Sequence, residues 1–403
     1  MTVNLSWETE IDTPATVGII GGGPAGIEAA LYARFLGYDV QLFSSARIGG
    51  NLKRWGDHQL PIPFRQAATP LGLAALEAQE TPCKLEPDAH VTFVEYVEQY
   101  LVPVAKTDLI HDSITIQASV RSISRLGVDV HREETLEQRA EREFRLLVDS
   151  RQRGQYSQIV DIVLDCGGRS AWAGMASGAG RAAGEIGCEG LLHGRRDVLD
   201  REKPLFAGKH TVLWGDTLEA CSIVADFYRL ADENPGTQLT WAIPKSVLKS
   251  GLASRLDGVP EGFQQTIEKA QAAIETREMP IVILPCYGIE SCQAPTAETN
   301  AGTWALRLQS GADETLDVTC DQVINCGRRE ADWSMADAVS PQPAPITDSQ
   351  VATSEPHYYV LGNKLLESNV SSFADVRDHI RSAFALIGGR AELDLYATVR
   401  PIG

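Results

Sequence analysis

No part of the chain constrains its fold more than Val17-Gly18-Ile19-Ile20-Gly21-Gly22-Gly23-Pro24-Ala25-Gly26. Val17 to Ile20 reads as a short buried strand. The segment from Pro24 to Gly37 reads as a helix, with Ile27, Ala30, Leu31, Arg34 and Phe35 at helical spacing. Between them Gly21, Gly23 and Gly26 occupy the three fixed positions of G-x-G-x-x-G. Each glycine answers a different need: a tight turn, close backbone approach to a pyrophosphate, and close packing of helix on strand. A helix beginning at Pro24 points its first amides and its dipole at those phosphates. The strand Asp39 to Phe43 completes a βαβ unit. A dinucleotide cradle is therefore expected at Gly21, Gly23, Pro24, Ala25 and Gly26.

One part of that pattern is missing. The second strand should end in Asp or Glu, about 20 residues after the glycines, to hold the ribose hydroxyls. Here Phe43 is followed by Ser44 and Ser45. A serine hydroxyl can bond a ribose, but a charge-assisted bond is roughly twice as strong. Ser44 and Arg47 are the residues left to hold the adenosine end.

The plan recurs later. His210 to Gly215 reads as a strand running into a turn, Leu218 to Leu230 as a helix, and Gln238 to Ile243 as a strand. A chain of 403 residues exceeds what one core usually serves. The expectation is α/β architecture with two Rossmann-like dinucleotide-binding domains. Ile162 to Gly168 and Val323 to Gly327 both end a strand in glycine and read as crossings between domains. The first domain is then residues 1-169 and 327-403, and the second, residues 170-326, is inserted into it. Asp337 to Glu355, with Pro341, Pro343 and Pro345, reads as a loop.

Composition narrows the function. With 36 Lys and Arg against 54 Asp and Glu the formal net charge is -18, which disfavours nucleic acid and anionic membrane surfaces as partners. The clusters Arg151-Gln152-Arg153 and Arg195-Arg196 read as solvated faces. Met1 to Thr16 lacks the form of a signal peptide, and no apolar run reaches the roughly 18 residues of a membrane span. Eight scattered cysteines without a C-x-x-C pair point to a reduced, cytoplasmic protein. The eight histidines show no metal-ligand spacing, so no metal is expected.

Several runs carry a family resemblance. Ile48-Gly49-Gly50-Asn51-Leu52 resembles the flavin-side loop of thioredoxin-reductase-like and flavin-monooxygenase-like FAD proteins. Gly49 to Gly56, Thr69-Pro70-Leu71-Gly72 and Glu95 to Leu101 are similar to a bacterial subgroup of FAD-dependent oxidoreductases. Tyr358 to Lys364 matches that subgroup and is similar to the amine N-hydroxylating monooxygenases. The resemblance implies FAD as cofactor, with Gly21, Gly23 and Gly26 at the pyrophosphate and Gly49, Gly50, Asn51 and Leu52 beside pyrophosphate and flavin. Gly362-Asn363 stands where many relatives carry Gly-Asp, whose carboxylate bonds the ribityl chain. Ser371, Ser372 and Phe373 would open a helix aimed at the flavin pyrimidine edge. A homodimer is a family-level implication only.

By the same resemblance the second unit would hold NADPH or NADH, but its turn is altered. Gly215 is kept and Ala220 serves as the third position, whereas Thr217 replaces the middle glycine and Asp216 adds a negative charge. A side chain at that position crowds a pyrophosphate, and like charges disfavour it. Lys245 follows the next strand, which favours NADPH over NADH. Two readings stay open: a flavoenzyme reduced by NAD(P)H, acting on a small molecule and possessing or lacking monooxygenase chemistry, or an oxidase or dehydrogenase whose second domain is a scaffold. A non-catalytic flavin-binding subunit is the third.

Candidates for proton chemistry are His58 and Asp57, which follow Trp55-Gly56. The loop Leu60-Pro61-Ile62-Pro63-Phe64-Arg65 is a candidate pocket wall, with Arg65 a partner for a substrate carboxylate or else a solvated side chain. Cys286 and Cys292, with five residues between them, fit no redox-pair spacing, and Cys166 and Cys326 read as small buried residues.

Overall fold

The computed structural model describes residues 7–56, 58–129, 134–255, 261–295, 302–342, 351–364, 373–390 and 392–398. The chain divides into two compact units, Met1–Ser170 with Ala331–Gly403, and Ala171–Glu330.

The first unit is built on a five-stranded parallel sheet. Its order is Tyr358–Val360, Ile162–Asp165, Thr16–Ile20, Asp39–Ser44 and Ile114–Ile116. Val17 and Ile19 are fully buried, as expected of a central strand covered on both faces. A three-stranded antiparallel sheet, Ala118–Arg125, Phe144–Ser150 and Gly154–Val160, completes the unit's strands. The second unit repeats the parallel scheme in the order Ile281–Cys286, Gln238–Pro244, His210–Trp214, Gln322–Asn325 and Leu192–His193. It adds an antiparallel sheet of Gly288–Gln293, Trp304–Gln309 and Thr315–Cys320. The strand Ala171–Trp172, where the chain enters this unit, pairs antiparallel with Arg329–Glu330, where it leaves. The expected α/β class with parallel sheets is the observed one.

Two helices differ from their sequence reading. The first ends at Phe35 rather than Gly37, because Gly37 at φ +90° closes the turn by donating to Arg34 O at 3.0 Å. A single apolar stripe was expected, but every residue from Gly26 to Ala33 is buried, while Phe35 is 45% exposed. The cause is packing on more than one side: this helix lies against its own strands and against the helices Pro70–Ala78 and Phe373–Ile387. Ala29, Ala30 and Ala33 are small enough to allow it. In the second unit, Leu218–Glu233 runs three residues past its expected end at Leu230, and Glu233 there pairs with Lys203 at 2.6 Å. Among the described residues no helix is long and apolar enough to cross a membrane, and no group of three His, Cys, Asp or Glu side chains is arranged to hold a metal.

Candidate functional site

The first cradle is shaped by what each glycine must avoid. Gly21, at φ +115°, donates its N–H to Phe43 O at 2.8 Å, and a Cβ there would lie 2.6 Å from Cys166 O. A Cβ on Gly26 would lie 1.9 Å from Gly21 O, and one on Gly22 would lie 2.5 Å from the Ser44 hydroxyl. Gly23 alone of these four would meet nothing within 4 Å. Folding therefore dictates Gly21, Gly22 and Gly26, whereas Gly23 borders open space, as a residue approached by a ligand must. Gly23 caps the helix without a side-chain bond, and Pro24 is its first residue. The amides of Ala25 and Gly26 belong to the first turn, which has no intrahelical acceptors.

Two further segments reach this turn. Gly49, at φ +64°, donates to Gly22 O at 2.9 Å, and a Cβ on it would lie 2.7 Å from Val97. That bond brings Gly49-Gly50-Asn51-Leu52 to the cradle. Gly50 donates to Arg47 O at 2.9 Å, and Asn51 is exposed at the start of the short helix Leu52–Trp55. From the C-terminal side, Leu361 donates to Asp165 O at 2.9 Å. Gly362, at φ +75°, then sits so that a Cβ would touch the Ala25 methyl at 3.6 Å. Gly362 N–H donates to His379 Nδ1 at 3.1 Å, and the Asn363 side-chain oxygen is buried with no hydrogen-bond partner among the described residues. Ser44 is buried beside Gly22, and Arg47 is exposed. Asp57, Ser371 and Ser372 lie outside the described residues.

The sequence reading missed a buried ion pair behind this turn. Lys364 Nζ binds Asp165 Oδ2, which also accepts from Tyr358 Oη at 2.8 Å, while Asp165 Oδ1 accepts from Gly167 N at 3.0 Å. The Lys364 and Asp165 side chains are at most 1% exposed, and the ammonium lies 4.1 Å from the Trp333 ring centre. Gly362-Asn363 runs directly into Lys364, so the pair fixes the end of that segment. Strand-end Asp165 and the Gly-Asn-Lys run were visible in the sequence; their pairing across the chain was not. Glu28, on the buried side of the cradle helix, was also missed.

Other candidates take different places. His58 Nδ1 bonds Trp55 O at 2.9 Å and its carbonyl accepts from Phe93 N at 2.9 Å, so the ring is oriented. With Nδ1 donating to a carbonyl, the neutral ring presents Nε2 as an acceptor. Arg65 pairs with Asp88 at 2.7 Å and both are exposed, which is the solvated reading. Leu60 and Phe64 are buried in the core of the first unit, so the loop that carries them supplies core as well as any wall. Burial pushes the Cys286 and Cys292 thiols up to about 12 and those of Cys166 and Cys326 well above the ordinary range.

The second cradle keeps the same frame. Gly215, at φ +119°, donates to Ala242 O at 3.2 Å, and a Cβ there would lie 2.1 Å from Cys326 O. In front of the helix the picture changes. Thr217 is the N-cap: its Oγ1 accepts from Ala220 N at 3.4 Å and donates to Cys326 O at 2.8 Å. Glu219, in the first turn, accepts from Arg329 at 2.8 Å through Oε1, and its buried Oε2 has no hydrogen-bond partner. The Arg329 guanidinium lies 4.2 Å from the centre of Trp172, which stacks on His193. Lys245 is drawn to the Tyr287 ring at 5.0 Å.

No protein-family model matches this chain, and no curated protein matches it either. Solved structures do. The bacillithiol disulfide reductase of Bacillus cereus is similar with a TM-score of 0.61 at 13% identity, over 93% of this chain and 99% of that one. The cadaverine monooxygenase of desferrioxamine biosynthesis from Erwinia amylovora, solved with FAD bound, gives 0.61 at 13%, over 97% and 99%. The ornithine hydroxylase of Pseudomonas aeruginosa gives 0.59 at 14%, over 96% and 100%. The shared property is the fold, that of the two-domain FAD-dependent oxidoreductases.

Proposed function

We propose that the first cradle is the seat of FAD and that the protein is a flavin-dependent oxidoreductase acting on a small molecule. The observation that carries this reading is the open space at Gly23, set among glycines that folding itself requires. The first-turn amides and helix dipole would hold the pyrophosphate. Ser44 and Arg47 would serve the adenosine end, and Gly49, Gly50, Asn51 and Leu52 would line the flavin side. Asn363, whose buried oxygen has no hydrogen-bond partner among the described residues, would meet the ribityl hydroxyls, which can donate to it. Bound there, the flavin would supply hydride transfer at its N5, with the protein supplying position and electrostatics. His58, oriented through Nδ1, would accept a substrate proton at Nε2.

For the electron source, reduction by NADPH or NADH at the second cradle is one reading. The Thr217 cap and the Glu219–Arg329 pair favour the other, in which the substrate reduces the flavin directly and the enzyme is an oxidase or dehydrogenase. Two carboxylates at that turn, Asp216 and Glu219, oppose a pyrophosphate. Anaerobic mixing of the yellow protein with NADPH and with NADH at millimolar concentration separates the two. Bleaching by either would restore the nicotinamide reading. A chain that cannot be loaded with FAD would end the flavin reading altogether.

A further inference from the structure

Behind the first cradle lies a charged group for which the flavin reading has no task. Glu28 sits one helical turn beyond Pro24 and is 4% exposed. Its Oε2 accepts from the Thr69 hydroxyl at 2.5 Å, while Oε1 is buried without a hydrogen-bond partner among the described residues. Both Glu28 and Pro24 line one small pocket, about 20 Å³ and so large enough for about one water, together with Thr69, Tyr100, Val376 and Arg377. The titratable groups around Glu28 come from every element packed on it. Tyr32 is on its own helix, Tyr96 and Tyr100 are on the segment after Thr92, and Tyr396 is on the short helix Leu395–Thr398. Burial raises all four hydroxyls, so they stay neutral, and Arg377 is the cation acting on Glu28 among the described residues. Desolvation outweighs the Thr69 bond and the charge of Arg377, and pushes the Glu28 carboxyl up to about 7.

We propose that Glu28 is the proton-binding site coupled to the first cradle: when a dinucleotide pyrophosphate settles on the helix N-terminus, Glu28 takes up one proton from solvent through this pocket and becomes a neutral acid. The inference rests on the flavin reading. Four residues of helix span about 6 Å, so the phosphate charges would lie within about a Debye length of Glu28, with buried, weakly screened surroundings between them. They disfavour the carboxylate and leave the neutral acid unaffected. By reciprocity, whatever ionises Glu28 weakens the dinucleotide by the same factor. The phosphates of FAD do not titrate near neutrality, so a proton taken up there belongs to the protein.

Calorimetric titration of the full chain, freed of flavin, with FAD in two buffers of different ionisation enthalpy tests this. The expected uptake is about half a proton at pH 7, where Glu28 is half ionised, rising toward one above it. The FAD Kd should be flat below about pH 6 and weaken up to about tenfold per pH unit above 7. In Glu28→Gln, FAD should still bind, with uptake and slope both gone. Arg377→Gln keeps the carboxyl but removes its cation, so the onset of the slope should move to lower Kd sensitivity at pH 7 and appear at higher pH. Heats that do not depend on buffer in the wild type would overturn the inference. So would uptake that persists in Glu28→Gln, which would assign the proton elsewhere, such as to His379. Failure to bind FAD at all would remove the flavin reading, and this inference with it.

Discussion

At both cradles a parallel strand ends at a glycine near φ +117°, whose N–H is held by the neighbouring strand and whose missing Cβ makes room for a cysteine carbonyl. In each, that cysteine follows an Asx residue whose side chain accepts from the glycine N–H two residues on, Asp165 to Gly167 and Asn325 to Gly327. The cradles then part within one helical turn. Gly23, Ala25 and Gly26 stand in the first where Thr217, Glu219 and Ala220 stand in the second. Strand-end geometry is a folding requirement and is kept in both units. Space in front of the helix is not, and in the second unit the chain's own Thr217 and Glu219 serve the amides and the arginine there.

The contrast can be broken at several points. The largest effect is expected at the buried pair, which the second unit replaces with neutral Asn325. Lys364→Met leaves Asp165 charged and unpaired at 0% exposure and should cost about 3–5 kcal/mol, read by chemical denaturation. A loss under about 1 kcal/mol would show that Asp165 does not depend on the lysine. Gly26→Val puts a side chain against Gly21 O and should cost about 1–3 kcal/mol and abolish FAD loading, seen as loss of the flavin absorbance. Ala220→Gly, at the matching site, should cost about 1 kcal/mol through helix propensity alone. Equal effects at the two sites would erase the distinction drawn between the cradles.

Acidity offers a third point. The Glu28 counterpart in the second helix is Ser222, which does not ionise. In the flavin-free chain the folded-state pKa of Glu28, about 7, lies above its ordinary 4.5. The unfolded chain therefore releases this proton first as pH rises. Stability attributable to Glu28 is full below pH 4.5 and is lost between 4.5 and 7, by about 3 kcal/mol in all. Glu28→Gln should thus gain stability at pH 8 and gain none at pH 4, which thermal melts at the two values would check. His357, buried and lowered to about 4, acts in the opposite sense between its ordinary 6.5 and 4, so the comparison must be made between variants at each pH. The smallest effect, about 1 kcal/mol, is expected for Thr217→Val, which removes the N-cap of the second helix. If Thr217→Gly, which removes the side chain as well as the hydroxyl, gains NADPH binding, the threonine is an obstacle to the nucleotide and not merely a cap.

The first cradle was legible because its demands fall on consecutive backbone positions that only glycine meets. The parallel sheets were legible for a similar reason: short apolar strands alternated with helical spacing. Lys364 and Asp165 were not, because 199 residues separate two side chains that only the sheet order brings together. Glu28 was passed over because a charged residue in a helix normally marks the wet face, and nothing local reveals that this helix is covered on several sides. Thr217 was read as an intruder, although its position before Leu218, with Ala220 three residues on, is that of an N-cap. Arg65 was left between a substrate partner and a solvated side chain, and its exposed pairing with Asp88 could not be read from spacing.

The antiparallel pairing of Ala171–Trp172 with Arg329–Glu330 has a consequence for modularity. Neighbouring strands lie roughly 5 Å apart, so the 160-residue insertion begins and ends at nearly one point. A cassette with adjoining ends can be exchanged for another, or cut out and bridged by a few residues, without stretching the host. The gene could therefore trade its second unit as a single block.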